Sequence, residues 1–216
     1  MVLDGRLYVL GSQGDFAAIL LAGQTLAADD IDAKVEAALA AEGRPEADIA
    51  RDRNRMPLRT LKFFGLQDDM RVLELLPGGG WYTRVLAPVL AENGKLYVAL
   101  GTGRVESNIV PLPGFDKIEV LETSDNTRRP EGARLYVMDE FDFGVRDLDM
   151  VLTFRNTHGW VNDGVAGSNF VEFARVLKSG GVLGVVQHRA ADGTDPKVTA
   201  KSGYVSEEAV IAMAEA

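Results

Sequence analysis

The fold of this chain is decided by the stretch Val72-Leu73-Glu74-Leu75-Leu76-Pro77-Gly78-Gly79-Gly80-Trp81-Tyr82-Thr83-Arg84-Val85-Leu86. Its apolar start predicts a short buried strand over residues 71–76, its three glycines predict a turn, and residues 81–90 predict a helix. Glycine has no Cβ, so such a turn lets a ligand reach the backbone N–H groups at the start of the helix. The same glycines also fit a tight turn without a ligand. Their spacing differs from the G-x-G-x-x-G of dinucleotide-binding turns, which disfavours a nicotinamide-dependent reductase.

Strands and helices alternate along the rest of the chain. Strands are predicted at residues 95–100, 120–121, 149–154 and 182–187, and helices at residues 170–177 and 206–216. Residues 134–138 are either the third strand or a local edge. This alternation is typical of a mostly parallel sheet with helices on both faces, a Rossmann-like, doubly wound α/β fold.

Helices also precede the first strand. Apolar residues recur at helical spacing from Ile31 to Leu39, Gly43-Arg44-Pro45 interrupts that helix, and Gly65 ends a later one. We therefore divide the sequence into an N-terminal segment (residues 1–28), a helical cap (residues 29–69) and a Rossmann-like domain (residues 70–216).

The N-terminal segment has two interpretations. Its apolar stretch Phe16-Ala17-Ala18-Ile19-Leu20-Leu21-Ala22-Gly23 resembles the core of a short signal peptide, which would place the protein in the periplasm or outside the cell. The flank before it carries Asp4, Arg6 and Asp15 and lacks the positive charge expected of a signal peptide. That flank favours a packed segment and a cytoplasmic protein. No run of about 20 apolar residues predicts a transmembrane helix.

The composition excludes several classes of site. The 216 residues are 46% hydrophobic and 25% charged, as is usual for a globular protein. Because the chain has no cysteine, disulfides, thiolate-bound zinc and a cysteine nucleophile are excluded, and two histidines give little support to a metal site. A net charge of −9 without a basic run argues against a nucleic-acid partner. The expected partner is a small molecule, with no nucleic acid and no membrane.

Residues 72–86 resemble motif I of the class I S-adenosylmethionine-dependent methyltransferases. They are most similar to a bacterial group of methyltransferase-like proteins whose turn reads P-G-G-G-W-Y-T. Further segments match that group in the same order, at residues 61–66, 152–160, 173–186, 187–190 and 202–205. The resemblance covers the chain from about residue 30 to its end.

This resemblance implies S-adenosyl-L-methionine as the cofactor and methyl transfer to a small molecule as the reaction. The cofactor-binding residues that it implies are Glu74, Pro77, Gly78, Gly79, Gly80, Tyr82, Asp139, Glu140 and Phe141. Glu74 would orient the turn or hold the methionine ammonium through water, and the glycines would admit the amino-acid part of the cofactor. Asp139 and Glu140 would contact the adenine amino group, and Phe141 would stack on the ring.

Asn156 and His158 follow the fourth strand, where the resemblance implies that the transferred methyl group is presented. Methyl transfer is an in-line displacement, so the protein mainly aligns donor and acceptor and, for an oxygen acceptor, removes a proton. Imidazole titrates near neutral pH, which makes His158 the candidate base and Asn156 a candidate acceptor ligand. Each also has a structural interpretation, because His158 can cap the loop or pack on Trp160 and Asn156 can hold the loop.

Several further side chains fit either a functional or a structural role. His188 ends the fifth strand, at the same expected edge as His158, and both roles are open to it. Trp81 and Trp160 either shape an acceptor pocket or pack in the core. The arginines at positions 51, 53 and 55 either cover the site and bind an anionic acceptor or form a solvated helix face.

Two departures from the common motif support a different, non-catalytic function. Leu76 stands where that motif has its first glycine. The second strand ends in Ala99-Leu100-Gly101, without the carboxylate that usually binds the ribose hydroxyls. The chain would then be a non-catalytic Rossmann-like binding module that has lost tight cofactor binding.

The fifth predicted strand ends close to the end of the chain. A full class I methyltransferase fold has two more strands beside it, so we expect a C-terminally truncated sheet of five strands. Its apolar edge along residues 182–187 would be uncovered, which favours aggregation or a homodimer.

Overall fold

The computed structural model of the protein describes residues 6–11, 28–122, 127–128, 131, 137–138 and 142–215. The strands in these ranges are β1 (Arg6–Gly11), β2 (Arg71–Leu75), β3 (Lys95–Ala99), β4 (Glu119–Val120), β5 (Thr127–Arg128), β6 (Val137–Met138), β7 (Leu148–Phe154), β8 (Leu177–Arg189) and β9 (Tyr204–Val205). The helices are α1 (Ala28–Ala40), α2 (Glu46–Arg55), α3 (Pro57–Phe64), α4 (Thr83–Leu90), α5 (Gly103–Asn108), α6 (Thr157–Asn162), α7 (Ala166–Val176), α8 (Pro196–Thr199) and α9 (Glu207–Glu215). The described residues form two compact units. The first unit lies within residues 20–120, and the second within residues 121–216 together with residues 1–19.

The first unit consists of three helices followed by parallel strands. Pro57 begins α3 directly after Met56, whose positive φ of 44° separates α3 from α2. Gly65 ends α3 in a left-handed conformation with a φ of 76°. Strands β2, β3 and β4 then pair in parallel in that order, with Arg71 opposite Lys95 and Tyr97 opposite Glu119. Helix α4 connects β2 to β3 and buries its apolar face, which makes this unit an α/β layer.

The second unit contains the parallel strands β1, β8 and β7, with β8 in the centre. Strand β9 pairs with the last residues of β8, where His188 lies opposite Tyr204. The core is aromatic, because the ring centroid of Phe173 lies 5.2 Å from that of Trp160 and 5.9 Å from that of Phe170. All three rings are at most 1% exposed.

The expectation of an uncovered edge along residues 182–187 is wrong. Strand β1 pairs in parallel with that edge, from Arg6 opposite Val182 to Gly11 opposite Gln187. A strand from the N-terminal segment therefore satisfies the backbone hydrogen-bonding groups of β8, and the expected homodimer contact at this edge loses its physical basis. The signal-like stretch at residues 16–23 lies outside the described residues.

The strand pairing also decides between the two interpretations of residues 134–138. Residues 137–138 form β6, which pairs antiparallel with β5, so these residues are a local edge and β4 is the third strand of the first unit. The strand predicted at residues 182–187 is longer than expected, because β8 extends from Leu177 to Arg189. None of the helices in the described ranges is long and apolar enough to cross a bilayer.

Candidate functional site

The glycine turn connects β2 to α4 through alternating left-handed residues. Leu76, Gly78 and Gly80 have φ values of 50°, 60° and 76°. The Leu76 N–H donates to the carbonyl oxygen of Ala99 at 2.9 Å, and the Gly80 N–H donates to that of Pro77 at 2.9 Å. The turn is therefore fastened both to the end of β3 and to itself, although Leu76 replaces the first glycine of the common motif.

The three glycines differ in the space beside them. A Cβ on Gly80 would lie 2.0 Å from Cδ1 of the buried Ile109, and the positive φ of Gly80 also favours glycine there. A Cβ on Gly79, which is exposed, would meet no atom of the described part of the chain within 4 Å. A Cβ on Gly78 would lie 3.9 Å from Nη2 of Arg104, its one neighbour within 4 Å among the described residues. The turn thus packs inward at Gly80 and leaves open backbone at Gly78 and Gly79, which is the space that a ligand cradle needs.

Glu74 lies inside the first unit and is 2% exposed. The hydroxyl of Thr83, the first residue of α4, donates to its Oε2 at 2.6 Å. Burial raises the pKa of Glu74 to about 7, against the opposing effects of the Thr83 hydrogen bond and the charge of Arg55. The carboxyl group therefore joins the end of β2 to the start of α4, a contact that orients the turn.

The two aromatic residues after the glycines are buried against α2. Trp81 is 4% exposed, and its indole N–H donates to the carbonyl oxygen of Asp48 at 2.9 Å. The guanidinium carbon of Arg55 lies 4.6 Å from the Trp81 ring centroid, within the range of a cation–π interaction. Burial raises the pKa of Tyr82 to about 12, while the charge of Arg55 and a hydrogen bond with Thr60 oppose the rise. Trp81 and Tyr82 therefore have packing roles here.

Trp160 and the three arginines on α2 differ in their surroundings. Trp160 is fully buried, so it packs in the core of the second unit. Arg51 pairs with Asp48, and Arg53 is exposed in the last turn of α2. Of these three arginines, Arg55 alone lies over the rings of Trp81 and Tyr82, which follow the glycine turn.

The end of β3 carries no carboxylate, as the sequence indicates. Leu100 and Gly101 are both left-handed, with φ values of 65° and 64°. The first acidic side chain beyond them is that of Glu106 on α5, which accepts a hydrogen bond from the Thr102 hydroxyl.

Asn156 and His158 lie together after β7 in the second unit. The side-chain amide of Asn156 donates to the hydroxyl oxygen of Thr153 at 3.1 Å. The backbone N–H of His158 donates to Oε1 of Gln187 at 3.3 Å, and Nδ1 of its ring lies 3.3 Å from the same oxygen. The amide nitrogen of Gln187 in turn donates to the carbonyl oxygen of Gly203 at 2.7 Å.

This arrangement assigns the tautomer of neutral His158. The Gln187 amide nitrogen is committed to Gly203, so its oxygen faces His158 and can only accept. Nδ1 must then carry the hydrogen, and Nε2 keeps the lone pair that a base needs. Gln187 is 2% exposed and was not predicted as a site residue, because no local pattern shows that a residue 29 positions away holds the ring.

His188 lies at the end of β8, where its ring centroid is 5.5 Å from that of Tyr204. Partial burial lowers the pKa of His188, and the charges of Arg155 and His158 lower it further. The predicted residues Asp139, Glu140 and Phe141 lie outside the described residues. Among the residues that the structure does describe, no cluster of three or more His, Asp or Glu side chains could hold a metal ion.

Comparisons with known proteins identify the fold. No protein-family model and no curated protein matches the sequence. A solved S-adenosylmethionine-dependent methyltransferase from Aquifex aeolicus is similar over 73% of this chain and 76% of its own, with a TM-score of 0.50 and 23% identity. The fold is Rossmann-like, as in methyltransferases. The predicted α/β class is thereby confirmed, and at this identity the likeness establishes the fold alone.

Two further structures have lower TM-scores. The precorrin-6y C5,15-methyltransferase of Geobacter metallireducens shares 18% identity over 69% of this chain and 70% of its own, with a TM-score of 0.40. The fibrillarin of Aeropyrum pernix, solved with natively bound S-adenosyl-L-methionine, shares 13% identity over 72% of this chain and 64% of its own, with a TM-score of 0.43.

Proposed function

We propose that the chain is an S-adenosylmethionine-dependent methyltransferase that acts on a small molecule. The observation that carries this proposal is the glycine turn of the first unit. Its backbone is open at Gly78 and Gly79, while Gly80 packs inward and the Thr83–Glu74 hydrogen bond joins α4 to β2. A turn that is fastened in this way and has an open backbone face suits a ligand that must be held in one orientation.

The residues at the turn fit the amino-acid part of the proposed cofactor. Gly78 and Gly79 would lie against it, with Pro77 shaping the turn and Tyr82 supporting it from within the unit. Asp139, Glu140 and Phe141 would bind its adenine, as the resemblance to class I methyltransferases implies. When bound, the cofactor supplies a methyl group already activated by a sulfonium.

We assign proton removal to His158 of the second unit. His158 would take the proton of an acceptor hydroxyl on Nε2, because the Gln187 oxygen occupies the Nδ1 side of the ring. Asn156 would contact the acceptor or fix the start of α6. Gln187 is a positioning residue, since it acts only through His158.

The second candidate function is a binding module that keeps this fold without tight cofactor binding. It is favoured by the end of β3, where Leu100 and Gly101 stand in place of a ribose-binding carboxylate. Titration calorimetry with S-adenosylmethionine and S-adenosylhomocysteine distinguishes the two functions. The enzyme should bind both ligands and form S-adenosylhomocysteine during a screen of small metabolites. No binding at millimolar ligand would refute the proposal, and binding without turnover in the whole screen would favour the module.

The role of His158 has a separate test. A His158→Ala variant should bind S-adenosylhomocysteine as the wild type does and lose at least about a hundredfold in turnover, as expected when a general base is removed. Unchanged turnover would remove His158 from the mechanism.

A further inference from the structure

Both histidines of the chain lie at one place in the second unit, the end of the parallel strands β7 and β8. Arg155 is the first residue after β7 and has a left-handed φ of 64°, which is uncommon for a residue with a long side chain. Its backbone N–H donates to the carbonyl oxygen of Val186 at 2.6 Å. This bond fixes the backbone of Arg155 to β8, beside His188.

Arg155 carries a positive charge at this edge. Its exposed guanidinium group has no carboxylate partner among the residues that the structure describes, whereas Arg189 pairs with Glu207 at 3.5 Å. Burial is the main cause of the lowered pKa of His188, and the charge of Arg155 adds to it. In a chain with a net charge of −9, Arg155 is therefore one positive charge at the end of β7 and β8 that could attract an anionic ligand.

An exposed aromatic ring lies at the same end of β8, beside His188. Tyr204 on β9 is 43% exposed, and its ring lies 5.5 Å from that of His188 at an angle of 40°. An exposed aromatic ring at the same strand end as an arginine matches a ligand that combines an aromatic ring with a negative group.

We propose that Arg155, His158, His188 and Tyr204 form the acceptor site and that the acceptor is a small aromatic carboxylic acid bearing a hydroxyl group. Arg155 binds the carboxylate, the acceptor ring packs on Tyr204 and His188, and the hydroxyl group faces Nε2 of His158. This inference rests on the proposed function, because it names the substrate class of that reaction.

The reaction at this site is balanced. The acceptor oxygen forms a bond to the methyl carbon, and the bond from that carbon to the sulfonium sulfur breaks. Its electron pair returns to the sulfur, which gives S-adenosylhomocysteine. The hydroxyl proton passes to Nε2 of His158 and from there to solvent.

The two histidines also provide the test, because every imidazole signal in a proton–carbon NMR spectrum of the chain comes from this site. The probes are 4-hydroxybenzoate and its neutral isostere 4-hydroxybenzamide, each titrated with and without saturating S-adenosylhomocysteine. We expect 4-hydroxybenzoate to shift the signals of both histidines saturably and to bind about tenfold or more tightly than the amide, as one charge-assisted contact predicts.

Arg155→Gln should abolish this preference for the carboxylate while the fold is retained. The matched control is Arg175→Gln, since Arg175 is also exposed in the second unit but pairs with Glu172 on the same helix. The control should keep the preference. The proposal is overturned if 4-hydroxybenzoate shifts neither histidine signal, if both probes bind equally to the wild type, or if Arg155→Gln keeps the preference.

A failure of the acceptor-site proposal can be distinguished from a failure of the methyltransferase proposal. Binding of S-adenosylhomocysteine with no histidine response to 4-hydroxybenzoate would refute this acceptor class and leave the methyltransferase proposal standing. A carboxylate-selective histidine response in a protein that binds no S-adenosylhomocysteine would support the anion site and refute its role in methyl transfer.

Discussion

Glu74 links the stability of the first unit to pH, and a Glu74→Gln variant measures that link. The carboxyl is 2% exposed, and glutamine keeps the oxygen that accepts the Thr83 hydroxyl hydrogen bond. The pKa of this group rises from 4.5 in the unfolded chain to about 7 in the fold. Between these values the folded chain holds a proton that the unfolded chain releases. The contribution to stability is therefore complete below pH 4.5 and is lost as the pH rises through about 7.

The size of the effect follows from that pKa difference. At 1.36 kcal/mol for each pH unit, the wild type should lose about 2 to 3 kcal/mol relative to Glu74→Gln between about pH 5 and about pH 8. Urea unfolding followed by circular dichroism over this range gives the difference directly. The exposed Glu208→Gln serves as the control, for which we expect a change of at most about 0.5 kcal/mol. A stability difference between the wild type and Glu74→Gln that stays constant with pH would refute the reasoning.

Three further predictions concern packing. Gly80→Ala should destabilise the protein by about 2 to 5 kcal/mol, because the new methyl group meets Ile109 and the left-handed φ strains alanine. Its Tm should fall by several degrees, and an unchanged Tm in calorimetry would contradict this prediction. Trp81→Phe should cost about 1 to 2 kcal/mol in urea unfolding, because the carbonyl of Asp48 loses a buried donor, and a neutral effect would show that the bond is dispensable. Phe173→Ala should cost about 3 to 5 kcal/mol, and a loss below about 1 kcal/mol would show that the aromatic core of the second unit collapses around the gap.

The sequence could predict the parts of the fold that depend on short-range patterns. The apolar run of β2, the three glycines and the amphipathic α4 are contiguous, so their order alone indicates a strand, a turn and a helix. Gly65 likewise marks the end of α3 correctly. The same contiguous pattern predicts the glycine turn and a turn backbone that a ligand can reach.

Pairing between distant segments could not be predicted. Strand β1 pairs with β8, which lies about 170 residues later in the sequence, and the residues 6–11 contain no pattern that indicates this pairing. Gln187 holds His158 for the same reason, since the two residues meet only when β8 lies beside β7. Burial also decided between roles that the sequence left open, as for Trp160, whose fully buried ring packs in the core.

The central claim is that the open backbone of the glycine turn binds the cofactor, and a calorimetric titration of S-adenosylhomocysteine into a Gly79→Val variant tests it most directly. A Cβ at position 79 would meet no atom of the described residues within 4 Å, and the φ of Gly79 lies outside the left-handed region, so the variant should fold as the wild type does. Gly167→Val is the matched control, because Gly167 has the same open surroundings in α7 of the second unit. We predict that Gly79→Val loses at least about tenfold in affinity, more than about 1.4 kcal/mol, while Gly167→Val binds like the wild type. Equal affinity in all three proteins would contradict the claim.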